Sequence, residues 1–257
     1  MGSTRETRHE PGIVVVTVDH PPVNALPVAG WFELAEAVRG AGADPDTRVV
    51  VLRAEGRGFN AGVDIKEISA DPGHDKLVEV NRGCYEAFKA VYECPVPVIS
   101  AVHGFCLGGG IGLVGNSDVI IASEDATFGL PEVDRGALGA ATHLARLVPQ
   151  HAMRAMFYTG RTATARQLHH YGSVWEVVER DALDDAALGF AAEIAGKQPA
   201  VIRAAKASLN GIDPVDVNRS YRFEQGFTFE LNLTGVSDRA RDAFVRDGHE
   251  GAQWRTS

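Results

Sequence analysis

The stretch from Pro95 to Glu132 constrains the fold of this chain more than any other. It contains two apolar runs of strand length, Pro97 to Val102 and Asp118 to Ala122, separated by the glycine-dense segment Gly104-Phe-Cys-Leu-Gly-Gly-Gly-Ile-Gly112. Short continuous apolar runs are typical of strands buried on both faces, and glycines let other groups approach the backbone closely. We therefore expect two buried strands joined through a tight turn and a helix start, with the carboxylate of Glu132 at the end of the unit.

Strand-like and helical patterns alternate along the preceding part of the chain. The apolar runs Ile13 to Val18 and Arg48 to Arg53 are predicted strands. Apolar residues at helical spacing predict one helix from Trp31 to Val38, ended by Gly40 and Gly42, and another over residues 74 to 94. This alternation predicts the α/β class.

After Glu132 the chain reads as mostly helical. Short helical patterns precede one last strand-like run, Val174 to Val178, and longer patterns cover residues 183 to 209 and 214 to 247. The last pattern is rich in large apolar residues: Tyr221, Phe223, Phe227, Phe229, Leu231, Leu233 and Phe244. Such a helix packs on neighbouring elements or on another subunit. We predict a core of residues 1–195 followed by a helical oligomerisation region, residues 196–257.

The composition argues against several classes of function. The 257 residues carry a formal net charge of −9, and no segment shows the excess of Lys and Arg that nucleic acid binding requires. No run approaches the roughly 18 apolar residues of a membrane span, and the polar first residues do not resemble a signal peptide. Cys84, Cys94 and Cys106 lack metal-site spacing. We expect a cytoplasmic protein with reduced, buried cysteines and no metal, nucleic acid partner or membrane partner.

The glycine turn has three interpretations. Gly110-Ile-Gly112-Leu-Val-Gly115 matches the dinucleotide fingerprint G-x-G-x-x-G, although seven residues separate it from Val102 and it does not open the first βα unit. Alternatively, a helix that starts at Gly109 or Gly110 and runs to Ser117 would present unpaired amides and a positive dipole end to an oxyanion. Thirdly, the glycines would simply allow a helix to pack closely on a sheet.

Six motifs in order along the chain resemble the enoyl-CoA hydratase/isomerase family, also called the crotonase family. They begin at His20, Phe59, Pro97, Leu107, Ser117 and Ala126, and include Phe59-Asn-Ala-Gly-Val-Asp-Ile-Lys66, Leu107-Gly-Gly-Gly110 and Ala126-Thr-Phe-Gly-Leu-Pro-Glu132. The resemblance implies a spiral of ββα units with a helical C-terminal trimerisation region. It also implies an acyl-CoA ligand, no further cofactor, and assembly as a homotrimer or a dimer of trimers.

The resemblance also assigns roles to residues. The two backbone amides that bind the thioester oxygen in the family correspond to Val63, which follows Ala61-Gly62, and Gly109. Val63-Asp64-Ile65-Lys66 corresponds to the segment that lines the adenine end of coenzyme A, and Ala25 and Leu26 to the segment along the pantetheine arm. Lys66, Arg57 and Arg53 are candidate sources of positive charge for the CoA phosphates, although Arg53 is better explained as a surface cation.

One departure from the family pattern bears on the reaction. Hydratases of the family carry one glutamate two residues after the glycine triplet and another in the Pro-Glu step, and here the first of these positions is Gly112. Glu132 remains as a candidate base, and burial among apolar neighbours would raise its pKa. In an extended segment Asp134 would point to the same side as Glu132 and is a further catalytic candidate. His103, by contrast, is expected to be structural, and whether Glu230 approaches the site stays open.

The absent side chain at Gly112 suggests room for an acyl group bulkier than a straight chain. The overall pattern is most similar to family members of actinobacterial steroid (cholesterol) breakdown that hydrolytically open a ring of a bicyclic diketone CoA thioester. In that reaction Glu132 would activate water while Val63 and Gly109 hold the developing enolate. The alternatives are an enoyl-CoA hydratase, a Δ3-Δ2-enoyl-CoA isomerase and, more distantly, a CoA-binding protein without catalysis.

Overall fold

A six-stranded sheet forms the centre of the protein, which is described by a computed structural model over residues 2–70 and 73–246. Its first pair of strands is antiparallel and the other pairs are parallel. In spatial order the strands are β1 (Ser3–His9), β2 (Ile13–Asp19), β3 (Val49–Ala54), β4 (Val98–Val102), β6 (Val119–Ser123) and β9 (Glu176–Val178).

Helices cover both faces of this sheet. Along β2, Val14 and Val16 face the cluster that contains α1 (Val28–Ala43) and α3 (Asp75–Tyr92), whereas Val15 faces α8 (Leu183–Ala195). Successive side chains of a strand point to opposite faces, so a strand covered on both sides must be apolar throughout. This burial explains the continuous apolar runs in the sequence and confirms the predicted α/β class.

A second, three-stranded sheet positions the glycine turn. It consists of β5 (Phe105–Leu107), β7 (Thr127–Gly129) and β8 (Thr162–Thr164), with β5 and β7 parallel. The chain leaves β5 through Gly108 into α4 (Gly109–Val114), and it leaves β7 through Leu130 into a 3₁₀ helix, Pro131–Arg135. Because the carboxyl ends of two parallel strands meet at one edge, Gly109 and Glu132 lie at the same edge.

The remaining helices follow the chain order. They are α2 (Ile65–Ser69), α5 (Ala141–Leu144), α6 (Gln150–Thr159), α7 (Ala165–Tyr171), α9 (Pro199–Gly211), α10 (Val217–Leu233) and α11 (Val236–Arg246). The helix predicted over residues 214 to 247 is interrupted at Gly235, where φ is +70°, and its last residue lies outside the described part of the chain. Within that part, no helix is long and apolar enough to cross a bilayer.

Several sequence predictions need correction. The polar strand β1 was not expected, because an edge strand with exposed charged side chains has no apolar alternation. The three-residue strands of the small sheet are too short to give a pattern. The prediction that Gly40 and Gly42 end the first helix is wrong, since α1 continues to Ala43. A Cβ on Gly42 would lie 2.8 Å from Sγ of Cys94, so close packing there outweighs the weak helix propensity of glycine.

Candidate active site

Three backbone segments lie side by side at the edge where β5 and β7 end. The Leu107 amide donates to the carbonyl of Asn60 (2.8 Å), and the Asn60 amide donates to the carbonyl of Phe105 (3.2 Å). These bonds place the segment that follows Asn60 against the start of α4. The glycine-rich segment of residues 54 to 67 thus joins the glycine turn.

This arrangement brings together the two segments that carry the amides of Val63 and Gly109. A Cβ placed on Gly62, where φ is +87°, would lie only 3.3 Å from the backbone nitrogen of Gly109. The Gly109 amide stands at the first position of α4 and therefore has no intrahelical acceptor. The Val63 amide finds no acceptor among the described residues. Such a pair of donors suits a developing oxyanion.

Buried asparagines hold the segment that carries Val63. Oδ1 of Asn60 accepts from the Gly62 amide (2.8 Å), and its Nδ2 donates to the carbonyl of Asn24 (2.7 Å). Asn24 in turn donates to the carbonyls of Glu55 and Gly58 at 2.7 and 2.8 Å. Because these buried polar groups satisfy one another, the position of the Val63 amide is set before any ligand binds.

Glu132 lies beside this pair of amides. A Cβ on Gly108 would overlap its Oε1, and one on Gly139 would lie 3.2 Å from its Cγ. Its Oε2 is buried and has no hydrogen-bond partner among the described residues. A buried carboxylate oxygen without a partner is costly unless a ligand or a water molecule satisfies it. Glycines on two sides therefore make room for a carboxylate that has spare hydrogen-bonding capacity.

The surroundings of Glu132 favour its neutral form. Burial raises the pKa of the carboxyl from 4.5 to about 7, and the nearby Glu224 carboxylate adds to the rise. A backbone hydrogen bond and the guanidinium of Arg135 act in the opposite direction and hold the pKa down. A carboxyl group with a pKa near neutrality exchanges protons well at working pH, as a general base must.

The expected room at Gly112 is absent, which corrects the sequence prediction. A Cβ on Gly112 would overlap the ring atoms Cζ, Cε1 and Cε2 of Phe88. Phe88 belongs to α3, and nothing in the sequence links it to Gly112. Its ring occupies the space next to Gly112 into which a side chain at that position would extend. The sequence shows the loss of a carboxylate, but only the fold shows which group replaces it.

Phe88 is the centre of a buried aromatic cluster behind the site. Its ring centroid lies 5.7 Å from that of Trp31, 5.0 Å from His143 and 5.2 Å from Tyr221. Trp31 also reaches Gly109, since a Cβ there would lie 2.6 Å from Cη2. Burial lowers the pKa of His143 to about 3, with a smaller contribution from Arg146. His143 is therefore a neutral packing residue at physiological pH.

Asp134 does not share the side of Glu132. The prediction assumed an extended segment, but residues Pro131–Arg135 form a 3₁₀ helix. With about three residues per turn, side chains two positions apart point in different directions. Asp134 is exposed, and its Oδ2 would lie 2.8 Å from a Cβ on Gly160. The carboxylate in α10 that reaches the Glu132 region is Glu224, which the sequence interpretation did not single out.

The segments assigned to coenzyme A are neighbours in the fold. The Leu26 amide donates to the Gly62 carbonyl, and the Asp64 amide donates to the Leu26 carbonyl, both at 2.9 Å. These bonds bring Ala25 next to the segment from Ala61 to Ile65. The side chain of Leu26 is fully buried, and the Asp64 carboxylate accepts from the Lys66 amide at 3.0 Å as the N-cap of α2.

The candidate cations differ in their availability. Lys66 and Arg57 are exposed. Arg53 is paired with Glu55 and Asp184 at 3.2 and 3.3 Å, in agreement with its interpretation as a surface cation. His103 lines a polar cavity of about 330 Å³ away from Glu132, where its Nε2 lies 3.2 Å from the carbonyl oxygen of Gly56. This contact supports the structural role expected for His103.

Comparison with known proteins agrees with the geometry. Residues 8–231 match the enoyl-CoA hydratase/isomerase family. The chain is 68% identical over 248 residues, 96% of each protein, to the (7aS)-7a-methyl-1,5-dioxo-2,3,5,6,7,7a-hexahydro-1H-indene-carboxyl-CoA hydrolase of Rhodococcus jostii (strain RHA1). It is 69% identical over 240 residues, 93% of this chain and 97% of the relative, to the protein with the same description in Mycobacterium tuberculosis (strain ATCC 25618 / H37Rv).

Solved structures show the same fold. An enoyl-CoA hydratase/isomerase from Xanthobacter autotrophicus Py2 superposes with a TM-score of 0.85 at 28% identity, over 93% of this chain and 90% of that one. This similarity confirms the crotonase-type fold that the ordered motifs predicted. Taken together with the extent of the sequence match, it shows that the chain belongs to the enoyl-CoA hydratase/isomerase family.

Proposed function

We propose that the protein hydrolyses a ring carbon–carbon bond in a bicyclic diketone CoA thioester, as a step of steroid (cholesterol) breakdown. The observation that carries the proposal is the position of Glu132 beside the segments of Val63 and Gly109. Within the described residues, its Oε2 has no hydrogen-bond partner, and the two backbone amides have no acceptor. At the same edge, Phe88 fills the place of a second carboxylate at Gly112. Hydration of an enoyl thioester works best with two carboxylates, whereas hydrolysis of a ketone requires one base. The similarity to the two bacterial indene-carboxyl-CoA hydrolases supports the same chemistry.

In the proposed reaction Glu132 takes a proton from water while the water oxygen bonds to the ring carbonyl carbon. The resulting alkoxide collapses to a carboxylic acid, and the ring carbon–carbon bond breaks. Its electron pair moves into the thioester as an enolate, whose oxygen accepts hydrogen bonds from the amides of Val63 and Gly109. Protonated Glu132 then returns its proton to the enolate carbon. The net change is the addition of one water molecule.

The proposal also includes the segments that bind the coenzyme A portion of the substrate. We assign Ala25, Leu26, Ala61, Val63, Asp64, Ile65 and Lys66 to the CoA portion of the substrate, with Gly109 at the thioester. Lys66 and Arg57 are the exposed cations near this segment that suit the phosphates. The proposal gives Asp134 no step in the reaction, because its carboxylate points elsewhere. No cofactor beyond the CoA of the substrate takes part.

We also propose that residues 196–257 mediate assembly into a homotrimer or a dimer of trimers, on a core of residues 1–195. The support is an apolar surface on α9, at the residue that follows it, and on α10, where Leu209, Ile212, Phe223 and Leu233 are 61%, 73%, 72% and 72% exposed. An apolar surface of this kind marks a protein contact. Residues 247–257 lie outside the described part of the chain.

The experiment offers the enzyme three thioesters: the bicyclic diketone, crotonyl-CoA and a 3-enoyl-CoA, in isotopically labelled water. Ring hydrolysis places the label in a new carboxylate, hydration places it in a hydroxyl group, and isomerisation adds none. We expect turnover of the bicyclic substrate, and a fall of about 10²- to 10⁴-fold in Glu132→Gln. Glu193→Gln, on the exposed side of α8 across the main sheet, is the matched control. Full activity of Glu132→Gln contradicts the assignment.

The pH dependence follows from the same group. Glu132 acts as a base only when ionised, so kcat/KM should rise with pH through about 7. Because the pKa is raised in the folded state, ionisation reduces stability as pH rises from 4.5 to about 7. The free energy of unfolding of Glu132→Gln should therefore exceed that of wild type by up to about 3 kcal/mol near pH 8, with a higher unfolding temperature, and should differ little from it near pH 4. Thermal unfolding at both pH values measures this.

A further inference from the structure

The segment of residues 136–142, which follows the 3₁₀ helix of Glu132, is held by side chains from the C-terminal helices. Ser237 in α11 donates to the carbonyl of Gly136 (2.5 Å), and Thr228 in α10 donates to the carbonyl of Leu138 (2.9 Å). The third contact comes from Glu224, also in α10. The residues that these contacts join are 101, 90 and 83 positions apart in the sequence.

Glu224 caps a helix that is not its own. Its Oε1 accepts from the Ala141 amide at 2.7 Å, and its Oε2 accepts from the amide and the hydroxyl of Thr142, both at 3.1 Å. The first amides of a helix have no intrahelical acceptor, and residues Ala140 and Ala141 at the start of α5 carry no oxygen in their side chains that would cap them. The partly buried carboxylate of Glu224 meets this need from α10.

The cap secures a turn that touches Glu132. Ala140, directly before α5, has φ of +42°, a conformation that favours glycine and persists only when its surroundings impose it. Gly139, the residue before it, packs on Glu132, with Cγ and Cδ at 3.2 and 3.3 Å from the position of a Cβ. The adjacent residues Gly139 and Ala140 therefore link the hydrogen bonds of Glu224 to the location of Glu132.

Charge gives a second link between the two residues. The ionisable groups that face Glu132 are Arg135 on its own 3₁₀ helix, Cys84 on α3, and Tyr221 and Glu224 on α10. Of these, Glu224 is the carboxylate, and its negative charge opposes ionisation of Glu132. Burial also raises the pKa of Glu224 itself, while the hydrogen bonds from Ala141 and Thr142 lower it.

We infer that Glu224 is a positioning residue for the proposed reaction: by capping α5 from the neighbouring helix, it holds the turn at Gly139 and Ala140 against the base Glu132. The inference rests on the proposed function for the role of Glu132. It gives the C-terminal region a part in the chemistry of its own subunit, in addition to the proposed assembly.

Two variants of Glu224 separate the effect of its position from the effect of its charge. In Glu224→Gln the negative charge is lost and an NH₂ group faces the donors of α5, so kcat should fall by about 10- to 100-fold with KM nearly unchanged. The midpoint of the acidic limb of kcat/KM should move to lower pH. Glu224→Asp keeps the charge but is one methylene too short for its three donors, so kcat should fall without a large movement of the midpoint. Glu193→Gln again serves as the control.

A readout without substrate makes the test independent of the proposed reaction. Carbon NMR of ¹³C-labelled glutamate carboxyl groups, with the Glu132 signal assigned from Glu132→Gln, should show a lower titration midpoint for Glu132 in Glu224→Gln than in wild type. If the midpoint moves while no bicyclic substrate is turned over, the proposed function fails but the linkage stands. The inference is overturned if folded Glu224→Gln and Glu224→Asp keep the kcat of wild type. It is also overturned if the titration midpoint of Glu132 is the same in Glu224→Gln as in wild type.

Discussion

At the scale of single residues, Gly112 shows that an absent side chain must be interpreted together with its neighbour. The ring of Phe88 occupies the adjoining space, so even one methyl group at position 112 requires the aromatic cluster to move. Gly112→Ala should destabilise the fold by about 1–3 kcal/mol, the usual cost of overpacking a core. Thermal or denaturant unfolding measures the change in the free energy of unfolding.

The control for this prediction is Gly189→Ala on the exposed side of α8, where no atom lies within 4 Å of the added Cβ. There alanine should stabilise the helix by up to about 1 kcal/mol. The double variant Phe88→Leu/Gly112→Ala should be less destabilised than the sum of its two single changes, because the smaller side chain leaves room for the methyl group. Additive energies would show that the ring does not determine what position 112 tolerates.

At the scale of elements, the loop segments that form the site are held in place by buried asparagine side chains. The Asn60 side chain accepts from the Gly62 amide and donates to the Asn24 carbonyl, which ties the segment of Val63 to that of Asn24. Asn60→Ala leaves both groups unsatisfied, so we expect a loss of about 1–3 kcal/mol in the free energy of unfolding. A fall in kcat should accompany it. Thermal unfolding and steady-state kinetics measure the two effects.

Asn218→Ala is the matched control, since the Asn218 side chain bonds to Glu93 at the surface (2.9 Å). This change should alter stability by no more than about 0.5 kcal/mol. If Asn60→Ala behaves like Asn218→Ala, the buried network does not set the position of the Val63 amide. A stability loss with unchanged kcat would give Asn60 a role in folding alone.

At the scale of the whole molecule, the outer face of α10 is the surface to test for assembly. The rings of Phe223 and Phe227 are 72% and 46% exposed and contact each other edge to face, with centroids 5.3 Å apart. Aspartate at both positions should dissociate the proposed trimer, since two buried charges in an apolar interface are costly. Light scattering coupled to size-exclusion chromatography reports the mass. Tyr158→Asp, which alters an exposed ring on α6, should keep the assembly; an unchanged mass in the double variant contradicts the proposal.

The accuracy of the sequence predictions differed among elements for a physical reason. Strands β3, β4 and β6 were predictable because burial on both faces requires continuous apolar runs. Strand β1 was not, because its partner β2 supplies the pairing and its own side chains face solvent. The end of α1 was misplaced because Gly42 reflects packing against Cys94 rather than a helix stop.

For the site, the sequence by itself determined the glycine turn and the lack of a carboxylate at Gly112. The resemblance to the family added the predictions that Val63 and Gly109 bind the oxyanion and that Glu132 is the base. The glycine turn and the helix start are visible in the sequence because they depend on local backbone chemistry, whereas the roles of the two amides and of Glu132 stay predictions. Only the tertiary structure decided that Phe88 fills the space at Gly112, that Asp134 turns away, and that Glu224 reaches back from α10 to the turn beside Glu132. Those contacts join residues far apart in the chain, so no spacing or pattern in the sequence carries them.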